Sequence, residues 1–111
     1  MIVDTHNDLL TELEFFRGEE APFEARWLRQ LRDGGVGLQV CPIFVDRERL
    51  PDGALRQALL QAAAAHRALR QSGSVFVASR ADLDRLDQAG GVGLMLSMEG
   101  AEPLGANPEL L

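Results

Sequence analysis

The 111-residue sequence contains little cysteine, few aromatic residues and no concentration of positive charge. Cys41 is the only cysteine, so no disulfide can form within the chain, and cysteine usage does not define the redox compartment. Aromatic residues make up 5% of the sequence, and the 11 basic residues are scattered through a chain of net charge −6. A nucleic-acid-binding surface needs a basic stripe or aromatic stacking positions. We therefore expect no nucleic-acid partner.

Long hydrophobic runs are also missing. No apolar stretch approaches the ~18 residues that a membrane span requires, and the first residues lack the basic-then-apolar pattern of a signal peptide. We expect a cytoplasmic protein with no membrane partner. The hydrophobic fraction of 46% and the charged fraction of 25% are ordinary for a folded soluble domain, and 111 residues suffice for one domain with its own core.

Apolar runs alternate along the chain with segments of helical periodicity. The predicted strands are 2–6, 36–45 and 92–99. The predicted helices are 23–33, 54–71 and 80–88, with a short helix and loop over 12–20 and a short extended segment over 74–78. The strand 36–45 is apolar nearly throughout, as expected of a strand covered on both faces. This order predicts an α/β fold with a parallel sheet.

Local signals define several helix ends and one helix face. Gly73 follows the helix 54–71 and predicts its end, and Ser79 predicts the N-cap of the helix 80–88. Residues 107–109 read Asn-Pro-Glu, the pattern of a helix start. We expect residues 1–111 to form a single partial domain that stops as this helix begins. The stripe predicted to pack against the core in the helix 54–71 is Leu55, Leu59, Ala62, His66 and Leu69.

The strongest chemical signal lies at the start of the chain, where residues 2–8 read Ile-Val-Asp-Thr-His-Asn-Asp. Side chains alternate between the two faces of a strand, so His6 and Asp8 are expected on the same side. An imidazole beside a carboxylate is a nitrogen–oxygen pair suited to zinc or another divalent metal. Taken alone, the pair is equally consistent with an ordinary surface histidine and a capping aspartate.

A second carboxylate lies at the end of the predicted strand 92–99, whose last residue is Glu99, just before Gly100. Parallel α/β folds place their chemistry at the carboxyl ends of strands. Two strands that both end in ligand-type residues therefore favour a metal site formed by His6, Asp8 and Glu99 over separate surface residues.

Three segments of the sequence resemble the N-terminal portion of the renal (membrane) dipeptidase family. They are Asp4–Leu9 (Asp-Thr-His-Asn-Asp-Leu), Leu31–Gln39 (Leu-Arg-Asp-Gly-Gly-Val-Gly-Leu-Gln) and Ser97–Gly105 (Ser-Met-Glu-Gly-Ala-Glu-Pro-Leu-Gly). They occur in the order of the family and at compatible spacing, and together they extend over nearly the whole chain.

The resemblance implies a (β/α)₈ TIM-type metallohydrolase barrel with two zinc ions that hydrolyses dipeptides. On the matching positions, His6 and Asp8 would bind one zinc ion, and Glu99 would bridge both ions and act as the catalytic residue. A bridging carboxylate suits two metals about 3.5–4 Å apart, which activate a water molecule and polarise the scissile carbonyl. The family also implies two further histidine ligands from later strands.

The sequence departs from a complete barrel, which takes about 250 residues. It supplies about three strand–helix units, and its other histidine, His66, is expected to be a packed or partly exposed helix residue. We therefore expect this piece to be inactive alone, and to form a homo-oligomer or need the missing C-terminal portion. The alternative is a non-catalytic α/β remnant that self-associates and binds at most one metal ion. Amidohydrolase-like barrels commonly carry His-x-His on the first strand, so Asp8 argues against them.

Four other residues near these motifs have weaker interpretations. Asp4 is either a residue that orients His6 or a solvated strand residue. Gln39 and Cys41 share a strand face that is expected to point into the barrel, with Cys41 more consistent with a small buried side chain than with a zinc ligand. Glu102 is expected to be a surface acid.

Overall fold

A computed structural model describes residues 1–105, 107 and 109 of the chain. Their strands are β1 (Ile2–Asp4), β2 (Val36–Phe44), β3 (Val75–Phe76) and β4 (Gly93–Glu99). These strands form one sheet in the order β1-β2-β4-β3, and every pairing is parallel. The predicted α/β class with a parallel sheet is confirmed. The extended segment predicted over 74–78 becomes β3, which pairs with the start of β4 at the sheet edge.

The helices connect successive strands, as parallel pairing requires. They are α1 (Leu9–Phe15), α2 (Arg29–Asp33), α3 (Ala54–Ser72) and α4 (Arg80–Ala89). A π-helical turn over Glu24–Leu28 leads into α2, so the helix predicted over 23–33 is confirmed with a wider first turn. Short 3₁₀ helices occupy Arg47–Arg49 and Glu102–Leu104. Of the helix start predicted at 107–109, the structure describes Asn107 and Glu109, and the Glu109 backbone N–H donates a hydrogen bond to Asn107 Oδ1 at 3.0 Å.

Two predicted helix boundaries are confirmed by their hydrogen bonds. Gly73 follows α3 in the left-handed conformation with φ of 67°, and its backbone N–H donates to the carbonyl of Leu69. The hydroxyl of Ser79 accepts a hydrogen bond from the backbone N–H of Asp82 at the start of α4. Each contact satisfies a backbone group that the helix itself leaves without a partner.

The larger core lies on the face of the sheet that α1, α2 and α3 cover. Cys41 and Ile43 of β2 and Leu94 of β4 contribute to it from the sheet, and Leu13 and Phe23 are among the helical side. Each of these side chains is buried. This face supplies most of the apolar burial that stabilises the fold.

A smaller core lies on the opposite face, at the start of β4. Leu38 packs there with Val77 and with Leu86 of α4, and Met95 lies against them. Side chains alternate along a strand, so Leu38 and Met95 occupy the face that Cys41 does not. The carboxyl end of this second face is where the candidate site lies.

The core-facing stripe predicted for α3 is wrong for Leu55, Leu59 and His66, which are exposed, and Ala62 is only partly buried. Leu55 and Leu59 are 51% and 61% exposed, whereas Leu69 is buried as predicted. The side that α3 buries instead consists of Ala54, Gln57, Ala58, Gln61, Ala64, Ala65, Ala68 and Leu69. Small alanine side chains allow a close approach to the sheet, and the Gln61 amide bonds both backbone groups of Phe44.

Among the residues that the structure describes, no helix combines the length and the apolar character needed to cross a bilayer.

Candidate metal centre

The segment that carries His6 and Asp8 is not a continuation of β1. The strand ends at Asp4, earlier than the predicted 2–6, and Thr5–Asp8 have no regular secondary structure. Asp4 pairs with Gln39 of β2. A regular continuation would therefore bring His6 beside Cys41, because both strands rise by the same distance per residue and the pairing offset stays constant.

That continuation would place His6 on the wrong face of the sheet. Cys41 belongs to the helix-covered core. Glu99 pairs with Phe44, which lies on the other face of β2 from Cys41 because side chains alternate. An uninterrupted strand would hold His6 and Glu99 on opposite faces, so the departure of the chain from β1 is what brings them together.

The three predicted ligands meet at the carboxyl ends of β1 and β4. His6 Nε2 lies 3.1 Å from Glu99 Oε2 and 3.5 Å from Asp8 Oδ1. One ligand atom from each of the three residues falls within 4.8 Å of the other two. The structure thus brings together all three residues that the sequence predicted. The sequence argument gave the correct pairing of His6 with Asp8, although strand alternation is not its cause.

The cluster is open to solvent. The side chains of His6, Asp8 and Glu99 are 56%, 59% and 47% exposed. Two carboxylates beside an imidazole give a local charge that favours a cation, and solvent exposure leaves the cluster accessible to a small ligand.

The donor set and two of the three donor separations, those of His6 from Asp8 and from Glu99, fit a zinc ion. Zinc takes imidazole nitrogen at about 2.0–2.1 Å and carboxylate oxygen at about 2.0–2.2 Å, so ligand atoms of a tetrahedral site lie about 3.4 Å apart. The separations of 3.1 and 3.5 Å bracket that value. One nitrogen and two carboxylate oxygens leave a fourth position open for water or substrate, as in catalytic zinc sites.

Asp4 contacts the backbone of His6 rather than its imidazole. Asp4 Oδ1 accepts a hydrogen bond from the His6 backbone N–H at 3.1 Å. This contact fixes the turn from which the His6 side chain leaves. It does not set the tautomer or the orientation of the ring.

The other residues singled out in the sequence lie apart from the cluster. Cys41 and Gln39 point into the helix-covered core instead of the face that carries Glu99, which corrects their predicted orientation. Burial, together with the nearby Asp4 carboxylate, raises the pKa of the Cys41 thiol to about 12, which disfavours the thiolate that zinc requires. Glu102 is exposed, as predicted.

His66 is exposed on α3, with its ring centroid 5.4 Å from that of Phe76. Phe76 pairs with Leu94, near the beginning of β4, whereas Glu99 is its last residue. His66 therefore lies toward the other end of the sheet and outside the cluster, as expected of a helix residue without a ligand role.

Comparison with known proteins identifies the family. The family model for membrane dipeptidase (peptidase family M19) matches residues 1–111. A search of curated proteins finds no match. Because the family match extends over the whole sequence, the resemblance carried by the three sequence motifs is confirmed. The chain belongs to the membrane dipeptidase family, peptidase family M19, which hydrolyses dipeptides in a metal-dependent reaction.

Proposed function

We propose that His6, Asp8 and Glu99 form the metal-binding part of a zinc dipeptidase site, and that the parallel sheet is part of a (β/α)₈ barrel. The observation that carries the proposal is the convergence of one imidazole nitrogen and two carboxylate oxygens within 4.8 Å. These ligands lie at or just beyond the carboxyl ends of β1 and β4, which both pair in parallel with β2, and barrel enzymes position their chemistry at this end of their strands.

The three side chains have different parts in this proposal. His6 and Asp8 would hold one zinc ion, and Glu99 would contribute its carboxylate to that ion and to a second one. Zinc bound there would supply a Lewis acid that lowers the pKa of water and polarises the scissile carbonyl of a dipeptide. The open cluster admits a small substrate, since each of the three side chains is about half exposed.

A second ion would share only Glu99 with this chain. The sequence has two histidines, and His66 lies toward the opposite end of the sheet. The two histidines that the family implies for the second zinc must therefore come from other segments. We accordingly expect no dipeptide hydrolysis by the 111-residue chain alone, and we propose that activity requires those segments.

The alternative function is a non-catalytic module that self-associates and binds at most one ion. The exposed apolar side chains of β1 favour it, because Ile2 and Val3 are 54% and 49% exposed on a strand that pairs only with β2 among the described residues. An edge strand of this kind is a template for pairing with another chain. Sedimentation of the chain with and without zinc distinguishes a metal-independent oligomer from a monomer with a metal site.

Zinc titration by calorimetry on the metal-free 111-residue chain tests the proposed ligands directly. We expect binding near one ion per chain in the unaltered protein, and binding below detection in His6→Ala and Glu99→Gln. The matched controls are His66→Ala and Glu102→Gln, which remove the same chemical groups outside the cluster and should retain the wild-type affinity. Circular dichroism of each variant establishes that it is folded.

Two results would contradict the proposal. One is specific zinc binding that survives both ligand variants. The other is a loss of equal size in ligand and control variants, which would assign the binding to general surface charge.

A further inference from the structure

The ligand-bearing segment Thr5–Asp8 has to be held in position without regular strand pairing. It follows β1 without regular secondary structure, and only this departure brings His6 to the face that carries Glu99. A segment with few backbone hydrogen bonds opens more easily than a strand. Its position therefore depends on a small number of specific contacts.

Three groups of hydrogen bonds supply these contacts. The Asp4 carboxylate accepts from the His6 N–H, and the Val40 carbonyl accepts from the Asn7 N–H at 3.2 Å. The side-chain amide of Gln39 reaches both strands, because its Nε2 donates to the Asp4 carbonyl at 3.3 Å and to the Val40 carbonyl at 3.0 Å. Gln39 thus links the last residue of β1 to the carbonyl that anchors Asn7.

The burial of Gln39 is not explained by packing. Its side chain is completely buried on the helix-covered face, and its Oε1 has no hydrogen-bond partner among the described residues. A buried amide with an unpaired oxygen costs free energy that an apolar side chain of the same length would not. The two donated bonds are what the amide contributes at this position.

We propose that Gln39 is a positioning residue for the metal-binding segment. Its amide fixes the carbonyls of Asp4 and Val40, and through them the point at which the chain leaves β1 and turns His6 toward Glu99. Asp4 is the second member of this arrangement, because its carboxylate holds the His6 N–H. The consequence for metal binding rests on the proposed function, whereas the consequence for segment order does not.

Amide hydrogen exchange in the metal-free chain tests the positioning role by itself. Gln39→Met keeps the length and burial of the side chain and removes both donated bonds. We expect the amides of His6 and Asn7 to exchange about tenfold faster, the factor that corresponds to the loss of about one net hydrogen bond. The exchange rates of amides in the middle of β2 and β4 should increase no more than the change in the global free energy of unfolding accounts for.

Gln61→Met is the matched control. Gln61 is also a completely buried glutamine that bonds backbone groups, but its partners are the N–H and carbonyl of Phe44. We expect it to destabilise the fold without a selective effect at His6 and Asn7. Unchanged exchange in Gln39→Met, or an equal acceleration in both variants, would overturn the proposal.

The pair Asp4→Ala and Asp4→Asn keeps the test decisive if Gln39→Met does not fold. Asp4 is half-buried, and only the alanine removes the acceptor of the His6 N–H. Faster exchange at His6 in Asp4→Ala, with wild-type exchange in Asp4→Asn, supports the arrangement. Equal exchange in Asp4→Ala and the unaltered chain refutes it.

Cobalt or zinc titration then measures the effect on the site. Residues that orient metal ligands typically change metal affinity by about 10–100-fold, and we expect a loss of about tenfold in Gln39→Met that Gln61→Met does not share. A chain that binds no metal even unaltered would refute the proposed function and leave the exchange result to decide the positioning role. Normal metal affinity in Gln39→Met would refute the positioning role alone.

Discussion

Gly93, the first residue of β4, is a position at which one added methyl group should have a large effect. A Cβ built there would lie 2.5 Å from Leu86 Cδ2, 3.1 Å from Val77 Cγ2 and 3.2 Å from Leu38 Cδ1. These three side chains form the smaller core and are at most 6% exposed, so none can move into solvent. We predict that Gly93→Ala forces this core apart.

The expected magnitude follows from overpacking. Extra methyl groups in a tightly packed core cost typically about 1–3 kcal/mol. With an unfolding entropy of about 2.1 cal/mol/K per residue, a 111-residue chain loses about 4–13 °C of Tm for that change. Urea denaturation followed by circular dichroism measures the free energy of unfolding, and a thermal scan measures the Tm.

Gly18→Ala is the matched control for Gly93→Ala. A Cβ at Gly18 would meet nothing within 4 Å, and its φ is not in the left-handed region. Alanine there should leave the fold unchanged or stabilise it by about 0.4–1 kcal/mol. Wild-type stability in Gly93→Ala, or equal effects at the two positions, would refute the packing described for the start of β4.

Two further predictions concern the helices. Hydrogen bonds from the Ala78 backbone and the Ser79 hydroxyl hold the pKa of the Asp82 carboxyl below its usual range. The ionised carboxyl therefore stabilises the fold fully at any pH above the pKa that Asp82 has in the unfolded chain. This stabilisation disappears as the pH falls through the lower pKa that Asp82 has in the native protein. Asp82→Asn should therefore be less stable than the unaltered chain at pH 7 and equal to it in strong acid, and a stability difference independent of pH would contradict this. On α3, Leu69→Ala should cost about 2–5 kcal/mol and Leu59→Ala at most about 0.5 kcal/mol, because only Leu69 is buried; equal losses in urea denaturation would contradict the observed helix face.

The order of strands and helices could be predicted because local signals fix it. Continuous apolar residues identify β2 and β4, and Gly73 and Ser79 mark helix ends through backbone hydrogen bonds that form within a few residues. The buried face of α3 could not be predicted from hydropathy. The helix buries alanines and Gln61 against the sheet and leaves Leu55 and Leu59 exposed, an arrangement that the hydropathy of the side chains does not indicate.

The candidate ligands could be predicted by residue type, but their arrangement could not. Strand alternation explains a shared side for His6 and Asp8 only if β1 continues, and β1 ends at Asp4. The signal that the sequence did contain is Asp4, two residues before His6, since an aspartate commonly accepts a hydrogen bond from the backbone N–H two positions later. Gln39 gave no such signal, because its role depends on which carbonyls the neighbouring strand presents.

The separation of the ligands along the chain has a thermodynamic consequence. An ion held by His6 and Glu99 would be a cross-link that closes a loop from residue 6 to residue 99, most of the 111-residue sequence. Closing a long loop is entropically unfavourable for an unfolded chain. In the native protein the two ligands are already close together, so binding of the ion does not require this loss of entropy. Occupancy of the site and folding of the whole sheet would thus be linked equilibria, and removal of the ion by a chelator would lower the unfolding temperature of strands far from the ligands.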